Sequence, residues 1–226
     1  MLIAGHETTA AVLTWTLYEL TKNTEILFRV REELSTVLKG RRVTYEDMAN
    51  LPLVRMCLAE TLRMYPEPPL LIRRALDDDV LPQGFAGGKT FIPKGTDIFI
   101  STWNIHRSPS LWENPEKYDP DRFLRSFSNP SVPEWGGYNP GGKSQSYPNE
   151  VHSDFAFLPF GGGSRKCVGD QFAMMEATAT IAAILQKFDF HLIGEHDQVG
   201  MRTGATIHTQ NGLPMKITLR TDESSV

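Results

Sequence analysis

The sequence predicts a mainly α-helical fold with small β-sheets, on two kinds of periodicity and a composition that supports a core. Residues 2 to about 22, 24 to 38, about 53 to 65 and 170 to about 187 read as helices, whereas 188–193, 206–209 and 214–219 alternate as short strands do. With 226 residues, 40% apolar and 22% charged, the chain can bury a sizeable core as one or two domains. The net charge of −4, without a basic aromatic-studded stripe, excludes a nucleic-acid surface, and the mean hydropathy of −0.28 fits a soluble globule. Two cysteines, Cys57 and Cys167, stand in different contexts, so no disulfide framework is implied and a reducing compartment fits.

The first helix places Leu13, Leu17 and Leu20 on one buried face and Trp15 on another. It opens on Ala4-Gly5-His6-Glu7-Thr8-Thr9. A helical threonine such as Thr8 can simply back-bond to a carbonyl one turn earlier. His6-Glu7 does not begin a zinc-protease motif, because Ala10 stands where the second histidine belongs. The run Met1-Leu2-Ile3-Ala4-Gly5-His6 has no charged leader and is too short to span a bilayer, so the chain reads as starting inside a helix.

The helix 24–38 ends at Gly40, with Arg29, Arg31, Glu32 and Glu33 expected on a solvated face. Thr44-Tyr45-Glu46-Asp47 resembles a capped start to a short helix, and Pro52 begins the next. On that helix Glu60 and Arg63 are three apart and share a face; as an exposed pair they would be worth under about 1 kcal/mol. Pro66 stops the helix, and Pro68-Pro69 forces extended chain into Leu70-Leu71-Ile72-Arg73-Arg74. Residues 91–100 read as strand, turn, strand, followed by a Pro- and Trp-containing meander from His106. Residues 126–149, rich in Ser, Pro, Gly and Asn, read as a surface insertion. Within them Gly137 to Ser144 satisfies the phosphate-loop pattern, but Val132-Pro133-Glu134-Trp135-Gly136 before it and Gln145-Ser146-Tyr147-Pro148 after it cannot be the required strand and helix. After residue 169, Phe172, Ala173, Met174, Met175, Ile181 and Leu185 are expected to mix core faces of one helix, and Gly212 to turn a hairpin between 206–209 and 214–219. The tail from Asp222 is expected to fray, and no internal repeat is evident.

The chemistry concentrates in Phe157-Leu158-Pro159-Phe160-Gly161-Gly162-Gly163-Ser164-Arg165-Lys166-Cys167-Val168-Gly169-Asp170. Glycines at 161–163 let backbone N–H groups approach a sulfur, Gly169 lets another segment close in, and the following helix points its positive end at Cys167. That dipole and the cations Arg165 and Lys166 favour a thiolate. Four roles compete: nucleophile, redox sensor, buried structural cysteine and axial ligand to haem iron. A nucleophile needs a base, and only His106, His152 or His208 could reach it through space. A dinucleotide loop would need glycine where Lys166 stands. Haem ligation suits the loop best.

Phe160, Gly163, Arg165, Cys167 and Gly169 fall at the Phe-x-x-Gly-x-Arg-x-Cys-x-Gly spacing, and the sequence here resembles the cytochrome P450 family of haem-thiolate monooxygenases. Ser164 stands where members of that family often carry proline. The resemblance covers nearly the whole chain and implies a P450 fold of which residues 1–226 are the C-terminal half, beginning mid-way along the long distal helix. It implies Cys167 as proximal ligand of haem b, Arg165 and Arg73 as propionate contacts, and Glu60, Arg63 and Arg122 as a buried network holding the fold beneath the haem. Ala4-Gly5-His6-Glu7-Thr8 matches the family's small-Gly-x-acid-Thr pattern, so Ala4 and Gly5 would leave room for dioxygen while Glu7 and Thr8 deliver protons. Leu71, Ile72, Ala205, Thr206 and Ile207 would meet substrate.

The runs 1–10, 68–74, 167–173 and 203–209 look like the plastid carotenoid-ring hydroxylase group of that family. The activity so implied is insertion of one oxygen atom of O2 into a hydrophobic substrate. Electrons would come from a ferredoxin or an NADPH-dependent reductase, in a plastid, with membrane association through the missing N-terminal half. The competing expectations are a haem-binding fragment without turnover and a P450 acting on fatty acids or other lipids.

Overall fold

The computed structural model describes residues 2–81, 88–140 and 147–220. The tail from Asp222 and the part of the phosphate-loop match from Gly141 to Ser144 lie outside them. Helices α1 (Leu2–Lys22), α2 (Thr24–Leu38) and α3 (Pro52–Met64) come first, a short α4 (Thr102–His106) follows a strand-rich segment, and α5 (Asp170–Lys187) follows a long run of turns. α3 lies at the centre: every residue from Cys57 to Met64 is buried, and it packs on α1, α2, α4 and α5. Burial pushes the Cys57 thiol pKa up, and both cysteines are free. On α1 the deepest apolar side chains are Trp15 and Leu20, while Leu13 and Leu17 pack at the core's edge. Trp15 stacks on Tyr65 with ring centroids 4.1 Å apart, and Tyr65 donates its hydroxyl to Glu19 at 2.6 Å.

Among the described residues strands pair antiparallel into four small sheets. β1 (Leu70–Arg74) joins β4 (Asp97–Ser101), and β2 (Asp79–Leu81) joins β3 (Thr90–Ile92). β5 (Phe188–Leu192) joins β8 (Met215–Leu219), and β6 (Met201–Thr203) joins β7 (Ile207–Thr209). The expected hairpin around Gly212 is therefore not formed. Gly212 does turn the chain, at φ +77°, but β8 returns to the strand leaving α5 and β7 pairs with the strand just before it.

Other expectations are revised by long-range contacts. Glu33 is not a solvated side chain: its two carboxylate oxygens accept the N–H groups of Leu53 and Val54 at 2.8 and 3.0 Å. These are donors that the first turn of α3 cannot satisfy itself. Arg29 holds Asp121 through two bonds of 2.8 Å, and Arg31 pairs with Asp189 at 2.7 Å. The segment 126–149 is not all surface, because Tyr138 and Tyr147 are buried and Tyr138 donates its hydroxyl to the Phe123 carbonyl at 2.9 Å. On α5 Met174, Ile181 and Leu185 face the core, but Phe172 is 63% exposed.

Glu60, Arg63 and Arg122 meet in the core behind α3. Arg63 grips Glu60 through Nε at 2.8 Å and a second guanidinium nitrogen at 2.9 Å, and Arg122 Nε donates to the same carboxylate at 2.9 Å. The Asp119 N–H adds a fourth bond at 2.9 Å. Neither Glu60 nor Arg63 has exposed surface, and the indole of Trp112 lies against both guanidinium groups. Arg122 spends its remaining donors on the carbonyls of Glu113, Asn114 and Lys117. A buried charge left by removing one partner typically costs about 3–5 kcal/mol. Arg63→Ala is therefore expected to lose about that much stability; a denaturation midpoint equal to that of the unsubstituted protein would count against the network as a support of the fold.

Candidate functional site

The loop carrying Cys167 is anchored before it begins. Phe157 and Leu158 are buried; the Phe157 N–H donates to Ser153 Oγ and the Leu158 N–H to His106 Nε2, each at 2.8 Å. Burial, with the Arg63 and Arg107 charges nearby, pushes the His106 pKa down to about 3, so its ring is neutral and Nε2 can accept. The His106 carbonyl takes a 2.8 Å bond from Arg63, which ties this anchor to the buried network. Gly161 and Gly163 then take φ of +75° and +67°, the left-handed region that side chains rarely adopt. A Cβ on Gly162 would come within 3.1 Å of the Phe155 ring, which would have to give by a few tenths of an ångström to admit it.

The loop closes by the Cys167 N–H donating to the Phe160 carbonyl at 2.9 Å. Among the described residues the one hydrogen bond to the sulfur comes from the Gly169 N–H, at 3.4 Å, where Gly169 caps α5. Cys167 itself is exposed, and no hydrogen bond joins it to His106 or His208. A nucleophile activated by either of those histidines is thereby unsupported. The expected action of two cations on the sulfur is corrected in part. Lys166 turns to Glu150 at 3.1 Å and Asp170 at 3.2 Å, two carboxylates that compete for its charge. Arg165 is exposed and makes no ion pair among the described residues, and Arg73 reaches only the Ile72 carbonyl, at 2.9 Å. Arg74 is held by Asp97.

The residues expected to move protons and meet substrate are brought together only in part. Thr8 donates to the Ala4 carbonyl at 2.8 Å, the local back-bond a helical threonine makes. Ala4 and Gly5 are exposed, and the space where a Gly5 side chain would project is open. Glu7 accepts from Thr206 Oγ1 at 2.7 Å and lies 3.1 Å from His208 Nε2; these bonds hold its pKa below the usual carboxylate value. Leu71 lies against the cysteine loop, its Cδ1 3.9 Å from where a Cβ on Gly161 would sit. Ile72 is 59% exposed and Ala205 is exposed, but Ile207 is not a pocket-facing side chain. It is fully buried in the core, its N–H donating to Glu67 at 2.9 Å and its carbonyl accepting from Trp15 Nε1 at 2.8 Å. A cleft of about 210 Å³ beside α1 is lined by His6, Glu7, Trp15 and His208. The larger groove, between α2 and the β5/β8 sheet, touches none of the expected site residues.

Sequence reasoning missed Glu67, His106 as an anchor, and His208 as a partner of Glu7. The last was legible in part, since Thr206 and His208 are two apart in a strand and share a face. Glu67 offered only the signal of a carboxyl group between a buried helix and Pro68.

A lone exposed cysteine on a glycine loop at a helix N-terminus, anchored to a buried Glu-x-x-Arg network, matches the layout of a haem-thiolate protein. The cytochrome P450 family model matches residues 1–214, and the chain belongs to the cytochrome P450 family. It is 50% identical over 225 residues to cytochrome P450 97B2, chloroplastic, of Glycine max, covering 98% of this chain and 39% of that protein. It is 46% identical to the carotene epsilon-monooxygenase, chloroplastic, of Arabidopsis thaliana, over 97% of this chain and 36% of that protein. With the Arabidopsis thaliana protein LUTEIN DEFICIENT 5, chloroplastic, identity is 43% over 98% of this chain and 33% of the relative. The chain thus spans between a third and two-fifths of the length of these relatives.

Members of this family carry haem, and the donor set fits one. No group of three or more His, Cys, Asp or Glu among the described residues is placed to hold a bare metal ion. One exposed thiol, the Arg165 and Arg73 guanidinium groups, which have no carboxylate partner among the described residues, and exposed apolar side chains at Val168, Phe172 and Ile72 suit a haem with its acidic arms.

Glu67 generates a pH prediction. Burial, opposed by the Ile207 N–H and reinforced by the Glu7 charge, pushes its pKa up to about 8 from 4.5. An acid whose pKa is raised by folding binds its proton more tightly in the folded state. Its stabilising share is full below about 4.5 and is lost as pH rises through about 8. Glu67→Gln should therefore gain stability over the unsubstituted protein as pH is raised across that window, measured by thermal unfolding; parallel pH curves for the two would show that Glu67 is already charged in the fold.

Proposed function

We propose that the protein acts as a haem b-dependent monooxygenase on a long hydrophobic substrate, and that the substrate is a carotenoid whose ring it hydroxylates. The observation that carries the monooxygenase reading is the Cys167 loop, with its exposed sulfur, its Gly169 N–H bond and its family membership. The carotenoid reading is supported by the 46% identity to a protein named carotene epsilon-monooxygenase. Plastid placement is supported by the word chloroplastic in the names of all three relatives. Among the described residues no helix is long and apolar enough to cross a membrane.

When bound, haem supplies the redox chemistry with O2, using electrons from a ferredoxin or an NADPH-dependent reductase. The chain's own residues then have separable tasks. Cys167 would hold the haem iron through its sulfur, and the Gly169 N–H together with the N-terminal end of α5 would stabilise the negative charge there. Arg165 and Arg73 offer guanidinium groups to the two carboxylate arms. Glu7 and Thr8 move protons inward from solvent, and the Thr8 hydroxyl is held in orientation by the Ala4 carbonyl. Leu71 and Ile72, on β1, present apolar surface that orients a hydrocarbon and excludes water.

The test is to complete the chain with the N-terminal part of a relative and produce it with a ferredoxin system in a carotene-producing host. Ring-hydroxylated carotenoids are the expected product, and Thr8→Ala should keep haem content and substrate binding while diverting reducing equivalents to hydrogen peroxide. Oxidation of a fatty acid without any hydroxylated carotenoid would overturn the substrate and leave the monooxygenase. Unchanged coupling in Thr8→Ala would remove Thr8 from the proton path.

A further inference from the structure

We propose that Tyr147 and Glu150 are positioning residues for the Cys167 sulfur: with Lys166 and Asp170 they clamp its loop from outside and hold it in one place. The inference rests on the reading of Cys167 as the haem ligand. It gives a task to residues 147–150, where a segment that reads from sequence as a surface insertion ends.

The loop needs support from elsewhere in the chain. Consecutive glycines at 161–163 have many backbone states to lose, and Ser164 is freer than the proline often found there would be. Within the loop the Gly161 N–H donates to the Leu158 carbonyl and the Lys166 N–H to the Gly163 carbonyl, each at 3.2 Å. The Cys167 N–H adds its 2.9 Å bond to the Phe160 carbonyl. No residue of 163–169 is buried, so core packing does not fix the sulfur's place.

Residues 147–150 grip the loop on both sides of its turn. Before the turn, the buried Tyr147 ring meets Phe160 edge-on with centroids 5.1 Å apart, and the Phe160 carbonyl is the one that Cys167 bonds. At the turn, Glu150 Cγ lies 3.5 Å from where a Cβ on Gly162 would sit. After the turn, Lys166 Nζ reaches Glu150 at 3.1 Å and Asp170 at 3.2 Å, and Tyr147 donates its hydroxyl to Asp170. The Lys166 ammonium also lies 5.5 Å from the centre of the Tyr147 ring, so the four side chains close on one another. Glu150 is itself fixed, its carbonyl accepting from the Phe155 N–H at 2.8 Å and Ser153 Oγ at 3.2 Å. Burial, the bonded Asp170 and the charges of Glu150 and Cys167 push the Tyr147 pKa up, so the phenol stays a donor. These ion pairs are little screened by solvent, because Glu150, Asp170 and Lys166 keep only 8%, 15% and 24% of their side-chain surface exposed. The second Glu150 oxygen is buried and makes no hydrogen bond among the described residues, so its charge depends on Lys166 for compensation.

The test follows the absorption spectrum of the completed, haem-loaded protein, reduced and exposed to carbon monoxide. Tyr147→Phe and Glu150→Gln are expected to keep the haem content and the initial red-shifted band of thiolate ligation. In denaturant too dilute to unfold the helices, that band should decay about tenfold faster than in the unsubstituted protein, the change that one hydrogen bond to a charged group corresponds to. The ion pair has its own signature, which a general loss of stability would not give. Lys166→Met leaves the buried Glu150 charge bare and should lose the band fastest, adding Glu150→Gln to it should slow the loss again, and Lys166→Arg should match the unsubstituted protein. Single variants that decay no faster than the unsubstituted protein, or a double variant that sums the two single losses, would overturn the clamp and leave Cys167 as ligand. A histidine-type band in the unsubstituted protein would remove the ligand reading and the clamp with it. A further measurement needs no variant: in the completed protein without haem, the Lys166 and Cys167 amides should exchange their hydrogens slowly. Exchange there at the rate of an open loop would overturn the proposal, whatever the folding of the variants.

Discussion

One buried charge organises the middle of this chain. The Glu60 carboxylate has no access to water and is matched by two guanidinium groups and the Asp119 N–H. Such a cluster contributes little net stability, because taking the charges out of water costs about as much as their attraction returns. Its effect is geometric. The guanidinium donors are all directed at acceptors, which lie on α3, on the meander from Glu113 to Lys117, and at the end of α4. Through the His106 carbonyl and ring the same set of bonds reaches the Leu158 N–H, two residues before Phe160 starts the glycine loop. A shift of Arg63 would therefore be felt at the proposed ligand although the two share no contact.

The second centre is built from the two ends of the sequence. α1 brings Glu7 and Trp15, and the β6–β7 ribbon brings Thr206, Ile207 and His208. Trp15 and Glu67 hold the backbone of Ile207 while Thr206 and His208 hold the side chain of Glu7. A turn expected to touch substrate is thereby fixed to a carboxylate expected to move protons. Substrate position and proton supply would then be mechanically linked.

Local features were the ones the sequence made legible. Helix periodicity, the Pro52 start of α3, the capping box at Thr44 and Asp47, and the extended run after Pro69 all depend on neighbours within a few residues. The Cys167 loop was legible for the same reason, since its glycines, its sulfur and the start of the helix after it lie within fourteen consecutive residues. Pairings across the chain were not. Nothing local tells β7 to choose β6 over β8, tells Glu33 to cap a helix twenty residues on, or draws Lys166 away from the neighbouring sulfur toward Glu150. The inward turn of Ile207 was hidden too, because an apolar residue in a short strand reads alike whether it faces core or ligand.

The account stands or falls on Cys167 as a thiolate ligand to haem. The most direct measurement is the absorption spectrum of the completed, haem-loaded protein, reduced and exposed to carbon monoxide. The account predicts the strongly red-shifted Soret band of thiolate ligation, lost on Cys167→His. A spectrum like that of a histidine-ligated globin in the unsubstituted protein, unaltered by that substitution, would contradict it.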